Sequence, residues 1–279
     1  MDQYTTHIKA KSGWFDIDFK ELVQYRDLSW LFVKRNYSTR YKQTILGPLW
    51  LIFNPLITVT LYALVFGKLA GLSTSGAPQF VFYLCNNALW TFFATSLTQT
   101  SSTFTANAAI MGKVYFPRLV MPISSVLTGM LDLGIQLAML IIAIVYYSFN
   151  GYNFGFGYSL LLVPVLIFQV GLLGLGCGII IAALTTKYRD FVILVGFGIQ
   201  LWMYATPVVY TVDIIPQKYL SIYMLNPMTP IIECFRSVFL GTETAAWQYW
   251  GISWIVTLIV LVLGVILFSK IEKTFMDTV

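Results

Sequence analysis

Six stretches of this sequence each run for about 20 residues or more with scarcely a charge, and that feature leaves few folds open. They cover residues 45–66, 80–99, 119–147, 158–184, 191–210 and 250–268. A helix rising 1.5 Å per residue crosses a bilayer core of about 30 Å with such a length. In lipid every backbone N–H and C=O needs an internal partner, and no alternating strand pattern is present, so helices are the reading that remains. Composition agrees: 58% of residues are hydrophobic, 10% are charged and the mean hydropathy is +0.75, where soluble domains carry roughly a quarter charged residues. The sequence therefore predicts an all-α integral membrane protein with six transmembrane helices. Pro48, Pro55 and Pro122 lie in or near expected first turns, where proline does least harm. Pro164 and Pro207 lie deeper and predict a kink or a stop.

The basic residues predict the topology. Lys9, Lys11, Lys20, Arg26, Lys34, Arg35, Arg40 and Lys42 precede the first span, and Lys113 and Arg118 follow the second. Lys187 and Arg189 follow the fourth, and Lys270 and Lys273 the sixth. Those 14 fall on one side, against Lys68, Lys218 and Arg236 on the other, which places both termini in the cytoplasm. Over residues 19–37, Phe19, Leu22, Val23, Trp30, Val33 and Tyr37 recur at three- and four-residue steps, with Lys20, Gln24, Asp27, Lys34 and Arg35 on other faces. This is the pattern of an amphipathic helix lying on an anionic inner leaflet. Residues 211–247 hold two short apolar pieces, 219–225 and 231–240, around Asn226-Pro227-Met228-Thr229-Pro230. Neither crosses alone, so a re-entrant outer hairpin between helices five and six is expected, with a surface-lying loop as the alternative. The chain divides into a cytoplasmic N-terminal arm, 1–44, and a six-helix domain, 45–279.

Little chemistry is available. Cys85, Cys177 and Cys234 are too scattered for a disulfide framework or a zinc site, and His7 is the single histidine. Gly67-Lys68 and Gly112-Lys113 do not end a nucleotide phosphate loop. Gly174-x-x-x-Gly178 reads as a close helix-packing face. Asp132 is the one acid well inside a span, where a carboxylate is expensive. It has no basic or imidazole companion inside any span, so a hydrogen-bonding pin between helices fits better than a proton relay. Asp16 and Asp18 form the nearest thing to a metal-binding D-x-D, with no sugar-nucleotide fold around them. No catalytic residue and no metal site is assigned, and uphill transport would need energy from another subunit. Glu233 and Arg236, three apart, can pair on one helical face or touch cargo or a second protomer. Aromatics reach 16%, and Tyr62, Phe66, Tyr83, Trp90, Phe92, Phe93, Trp202, Tyr204 and Tyr210 lie in or at the ends of spans. They suit either a path for sugar rings or an ordinary aromatic belt.

Five motifs carry a resemblance. Arg40-Tyr41-Lys42-Gln43-Thr44-Ile45-Leu46-Gly47-Pro48-Leu49-Trp50, followed by Asn54-Pro55, resembles the start of the first span in ABC-2-type permeases that export polysaccharides. Those are the membrane subunits of O-antigen, capsule and teichoic acid ABC transporters. Pro117-Arg118-Leu119-Val120-Met121-Pro122 is similar to the opening of that family's third helix, and Lys187-Tyr188-Arg189-Asp190 to its second cytoplasmic loop. Ala205-Thr206-Pro207-Val208-Val209-Tyr210 and Asn226-Pro227-Met228-Thr229-Pro230-Ile231-Ile232-Glu233 resemble the end of its fifth helix and its outer hairpin.

The resemblance implies a homodimer of this chain in the cytoplasmic membrane of a bacterium, with two copies of a separate ABC ATPase beneath it. ATP and Mg2+ would belong to that subunit, and no cofactor to this chain. The ATPase contacts implied are the N-terminal helix, Ala108, Met111, Lys113, Tyr115 and Phe116, and Lys187, Tyr188, Arg189 and Asp190. The implied cargo is a glycan on a lipid diphosphate, not nucleic acid. Arg35, Arg40 and Lys42 would attract the diphosphate or simply anchor the arm. Tyr62, Phe66, Tyr83, Trp90, Phe93, Trp202, Tyr204 and Tyr210 would line the glycan channel, and Pro227, Pro230, Glu233 and Arg236 would form the outer gate. A drug or small-lipid permease of the same fold is the alternative; a membrane-embedded glycan-synthesis enzyme and a secondary carrier fit less well.

Overall fold

The computed structural model describes residues 19–42, 44–111, 113–114, 116–155, 157–187 and 190–278, and among them every regular element is helical. Two helices lead in, α1 (Phe19–Gln24) and α2 (Arg26–Tyr41). A 3-10 turn at Gly47–Leu49 opens α3 (Trp50–Tyr62), which runs on as a π-helical segment, Ala63–Leu69. Then come α4 (Gln79–Ser101), the short α5 (Thr103–Met111), α6 (Val120–Phe149) and α7 (Val163–Lys187). The rest of the chain forms α8 (Phe191–Tyr204), α9 (Gln217–Tyr223), α10 (Met228–Leu240) and α11 (Ala246–Thr278).

Among the described residues, four helical segments have the length and apolarity to cross a membrane: Gly47–Leu69, Val120–Phe149, Tyr158–Thr185 and Ala246–Lys270. The second and fifth stretches differ for physical reasons. With 23 residues α4 is long enough, but it carries Asn86, Asn87, Thr91, Thr95, Ser96 and Gln99. It can do so because it sits at the centre, packed by α3, α6, α7, α8 and α10, and is largely buried. The fifth stretch is helical for only 14 residues, ending at Tyr204 shortly before Pro207, the stop that proline predicts. Two other prolines depart from expectation. Pro164 is the second residue of α7, after a 3-10 turn at Tyr158–Leu162, so it opens a helix rather than kinking one. Pro55 falls inside α3 rather than in its first turn.

The glycines of α7 set the spacing of the core. A Cβ on Gly174 would stand 2.8 Å from the Ser96 Cβ, and one on Gly178 only 2.5 Å from the Thr100 Cβ, so α7 and α4 touch nearly backbone to backbone. On another side of α7, a Cβ at Gly176 would lie 3.0 Å from the Leu261 Cα, and one on Gly264 would lie 2.8 Å from the Gly176 carbonyl oxygen. Small residues on α7 thus seat α4 and α11 together, as the Gly-x-x-x-Gly spacing predicts.

α2 packs on α6 and buries Ser29, Phe32 and Val33, and Phe32 joins a second core with Phe104, Phe116, Val120, Met121, Ile179 and Phe268. Val23, Trp30 and Leu31 stay exposed. The expected single apolar face therefore resolves into two, one against protein and one unpartnered, because Val33 and Trp30 look in different directions.

Gly178→Ala should force α7 and α4 apart at an overpacking cost of about 1–3 kcal/mol. Gly134→Ala meets nothing within 4 Å and serves as the control. Thermal unfolding of the detergent-purified protein should show a lower midpoint for the first and none for the second. Equal midpoints would contradict the close packing.

Candidate functional site

One end of the bundle gathers α2, α5 and the end of α7. Arg35 on α2 donates through Nη2 to Asn107 Oδ1 on α5 at 2.7 Å and to Asn36 Oδ1 at 3.1 Å, with its guanidinium 4.8 Å from the Phe32 ring centroid. Asn107 is itself held, its Nδ2 donating to the Thr103 carbonyl at 2.9 Å. Thr185 near the end of α7 donates to the Ser101 carbonyl at 2.9 Å, tying α7 to the end of α4. Of the residues expected to contact an ATPase, Lys113 is exposed and Asp190 sits exposed at the N-cap of α8. Phe116 is buried, its ring centroid 5.8 Å from that of Phe32, and works as packing. Tyr115, Tyr188 and Arg189 lie outside the described residues, as do the side chains of Ala108, Met111 and Lys187. In the same segment Ile110 and Val114 are exposed apolar residues.

Deeper in, Arg40 Nη1 donates to Asp132 Oδ2. Asp132 is almost enclosed, whereas a third of the Arg40 side chain is exposed. Burial pulls the Arg40 pKa down, but its contacts with Tyr41 and Asp132 outweigh that and leave it raised, so the guanidinium stays charged. The carboxylate of the third long helix thus has a companion after all, supplied from α2 outside any span. Two cavities flank the pair. One, of about 380 Å3, is lined by residues of α2, α3, α4 and α6, including Arg40, Tyr41, Asn54, Asn87, Asp132 and Gln136. The other, of about 520 Å3, shares Arg40 and adds Arg35, Gln99 and Asn107, with no acid among the described residues of its lining. Arg35 and Arg40 are therefore both engaged with the protein while facing cavities, and Lys42 is exposed.

The aromatics expected along a channel divide into two groups. Tyr83, Trp90 and Phe93 are buried. Tyr62, Phe66, Trp202 and Tyr210 are half-buried and Tyr204 is exposed. The buried set supports the other: Tyr62 meets Tyr83 edge-on at 6.2 Å, and Phe93 meets Trp202 edge-on at 5.0 Å.

At the opposite end Asn226 joins two motifs far apart in sequence. Its Oδ1 accepts from Trp202 Nε1 at 3.0 Å and from the Met228 N–H at 3.2 Å. Its Nδ2 donates to the Ala205 carbonyl at 3.2 Å and to Thr206 Oγ1 at 2.9 Å, closing the end of α8. Pro227 caps α10, and its carbonyl accepts from Ser253 Oγ at 2.7 Å. All 13 residues of α10 are buried, Pro230 among them. Glu233 and Arg236 pair with each other there; the guanidinium also lies 4.8 Å from the Phe82 ring centroid, and Thr244 Oγ1 donates to Glu233 Oε2 at 3.4 Å. Of the two readings of this pair, the intramolecular one fits.

Removing either member of the Arg40–Asp132 pair leaves the other without its counter-charge, a larger loss than removing both. A cycle of Arg40→Ala, Asp132→Ala and the double variant should give a coupling on the order of 0.5–3 kcal/mol in thermal unfolding. Strictly additive effects would contradict the pairing.

The model of the ABC-2 type transporter family matches residues 28–240. The O-antigen export system permease protein RfbA of Klebsiella pneumoniae is 29% identical over 253 residues, covering 90% of this chain and 94% of that protein. A protein of the same description from Myxococcus xanthus is 29% identical over 224 residues, 79% of this chain and 83% of its own length. With four helices fit to cross a membrane and a family match running from α2 to the end of α10, this multi-pass membrane protein belongs to the ABC-2 type transporter family.

Proposed function

We propose that this chain is the membrane subunit of an ATP-driven exporter that moves lipid-diphosphate-linked polysaccharide across the cytoplasmic membrane of a bacterium. The observation that carries the reading is similarity to O-antigen export permeases along nearly their whole length. It is a transport subunit and not an enzyme. Its sequence holds no nucleotide phosphate loop, so ATP and Mg2+ belong to a separate ABC subunit.

In this reading six segments cross the membrane: α3, α4, α6, α7, α8 with its extension to Tyr210, and α11. The connecting pair α9 and α10 forms the outer hairpin. Support comes from α10, whose 13 residues are too few to cross and are enclosed by α4, α7 and α11, where an irregular backbone is tolerated at membrane depth. The basic end of the bundle, with α2 and α5, faces the cytoplasm. Two copies form the pathway, and the exposed apolar faces of α3 and α8 are available to meet across the dimer or lipid. The ATPases seat against α2, α5 and the residues that link α7 to α8. The Arg35–Asn107 bond supports this assignment, since a push on α5 is felt by α2.

Deleting the gene tests the reading. Surface glycan should disappear while full-length lipid-linked polymer accumulates inside the cell. Intact surface glycan would contradict export and favour a drug or small-lipid permease. Loss of polymer on both sides would contradict it in favour of synthesis.

A further inference from the structure

We infer that the cavity between α2, α3, α4 and α6 is a binding site for a neutral polyol, and that its occupant is a sugar ring of the cargo; this rests on the export reading above. The cavity, about 380 Å3, is of the size that holds small ligands, roughly 300–1,000 Å3. Its walls carry acceptors with nothing to accept from. Gln136, 3% exposed, has its Oε1 without a hydrogen-bond partner, and Asp132, whose other oxygen takes the Arg40 bond, has Oδ1 in the same condition. Leaving a buried acceptor unpaired costs about 1–3 kcal/mol, so two neighbouring orphans one helical turn apart on α6 call for a donor from the cavity side. Arg40, with five N–H groups on a planar fork, has donors left after its bond to Asp132. A ligand that both donates and accepts at several points satisfies this wall, and each hydroxyl of a sugar does both. A hydrocarbon chain satisfies none of it.

Charge narrows the class further. Among the described residues of the lining, Asp132 is the one acid and Arg40 the one base, and they neutralise each other. A neutral group therefore fits here better than an anion, whereas the neighbouring cavity adds Arg35, whose partners are amides and a ring, and suits the diphosphate. Tyr41 and Trp50 add aromatic faces of the kind on which the C–H side of a pyranose stacks. The shared Arg40 places the two cavities side by side, as a diphosphate and the sugar attached to it require.

Photo-crosslinking in cells tests this with the full-length chain. A benzoylphenylalanine introduced at Thr91, and separately at Asn54, should on irradiation give an adduct that carries the glycan, detected by antibody and by mass spectrometry. The same group at Phe197, on the exposed face of α8, should not. Gln136→Leu removes the amide at nearly constant volume and should lower the adduct yield by roughly 3- to 10-fold at equal permease level. Two positions are used so that a misfolded variant at one leaves the other. Absence of a glycan adduct at both, in cells whose surface glycan depends on this gene, would overturn the inference and leave the export reading standing. Adducts with glycerophospholipid headgroups alone would overturn the sugar assignment. Surface glycan that persists without the gene would instead defeat the export reading.

Discussion

A carboxylate near the middle of an apolar helix is tolerable only if something answers its charge, and here Arg40 does so from outside the span. The consequence reaches well beyond Asp132. Because the answering group belongs to α2, neutralising the span also fastens the leading helix to α6. Once α2 is fixed, Arg35 lies within reach of Asn107, and α5 is fixed in turn. A single electrostatic requirement thus positions two helices at one end of the bundle, and with them the two cavities that share Arg40.

The second requirement is to enclose a polar helix. α4 bears amides and hydroxyls that lipid would reject, and it is shielded by neighbours on most sides. Glycines on α7 make that shield close, bringing backbones together where a methyl group would not fit. Where Asn87, Thr91 and Thr95 of α4 face α3 and α6, the polar cavity lies instead. Tight packing on one side and an open polar wall on the other are two results of the same helix.

Much of this was legible in the sequence. The four long spans, the Gly174–Gly178 packing face, the stop before Pro207 and the pairing of Glu233 with Arg236 all depend on local spacing. What the sequence hid depends on distance. The Arg40–Asp132 and Arg35–Asn107 contacts join residues 92 and 72 positions apart, and no periodicity encodes them. Asn226 stood out in its motif as part of a turn, but its role in closing α8 needs both segments in place. Aromatic content said nothing of depth, so Tyr83 and Phe93 looked like Tyr62 and Trp202 although they lie behind them. The Phe116 ring belongs to a core that only folding assembles, a depth its sequence neighbours do not reveal.

Taken as an exporter, the chain has a definite division of labour. In the proposed reading a basic end would receive movement from an ATPase, a polar wall near that end would meet cargo, and a buried helix would close the other end. Reconstitution tests this most directly. The permease and its ATPase subunit would be placed in liposomes with lipid-linked glycan on the ATP-accessible face, and glycan appearing on the opposite face would be followed with an impermeant glycan-cleaving enzyme. The account predicts transfer that requires ATP and stops in the absence of the permease. Sustained ATP hydrolysis by the assembled complex with no glycan crossing would contradict it.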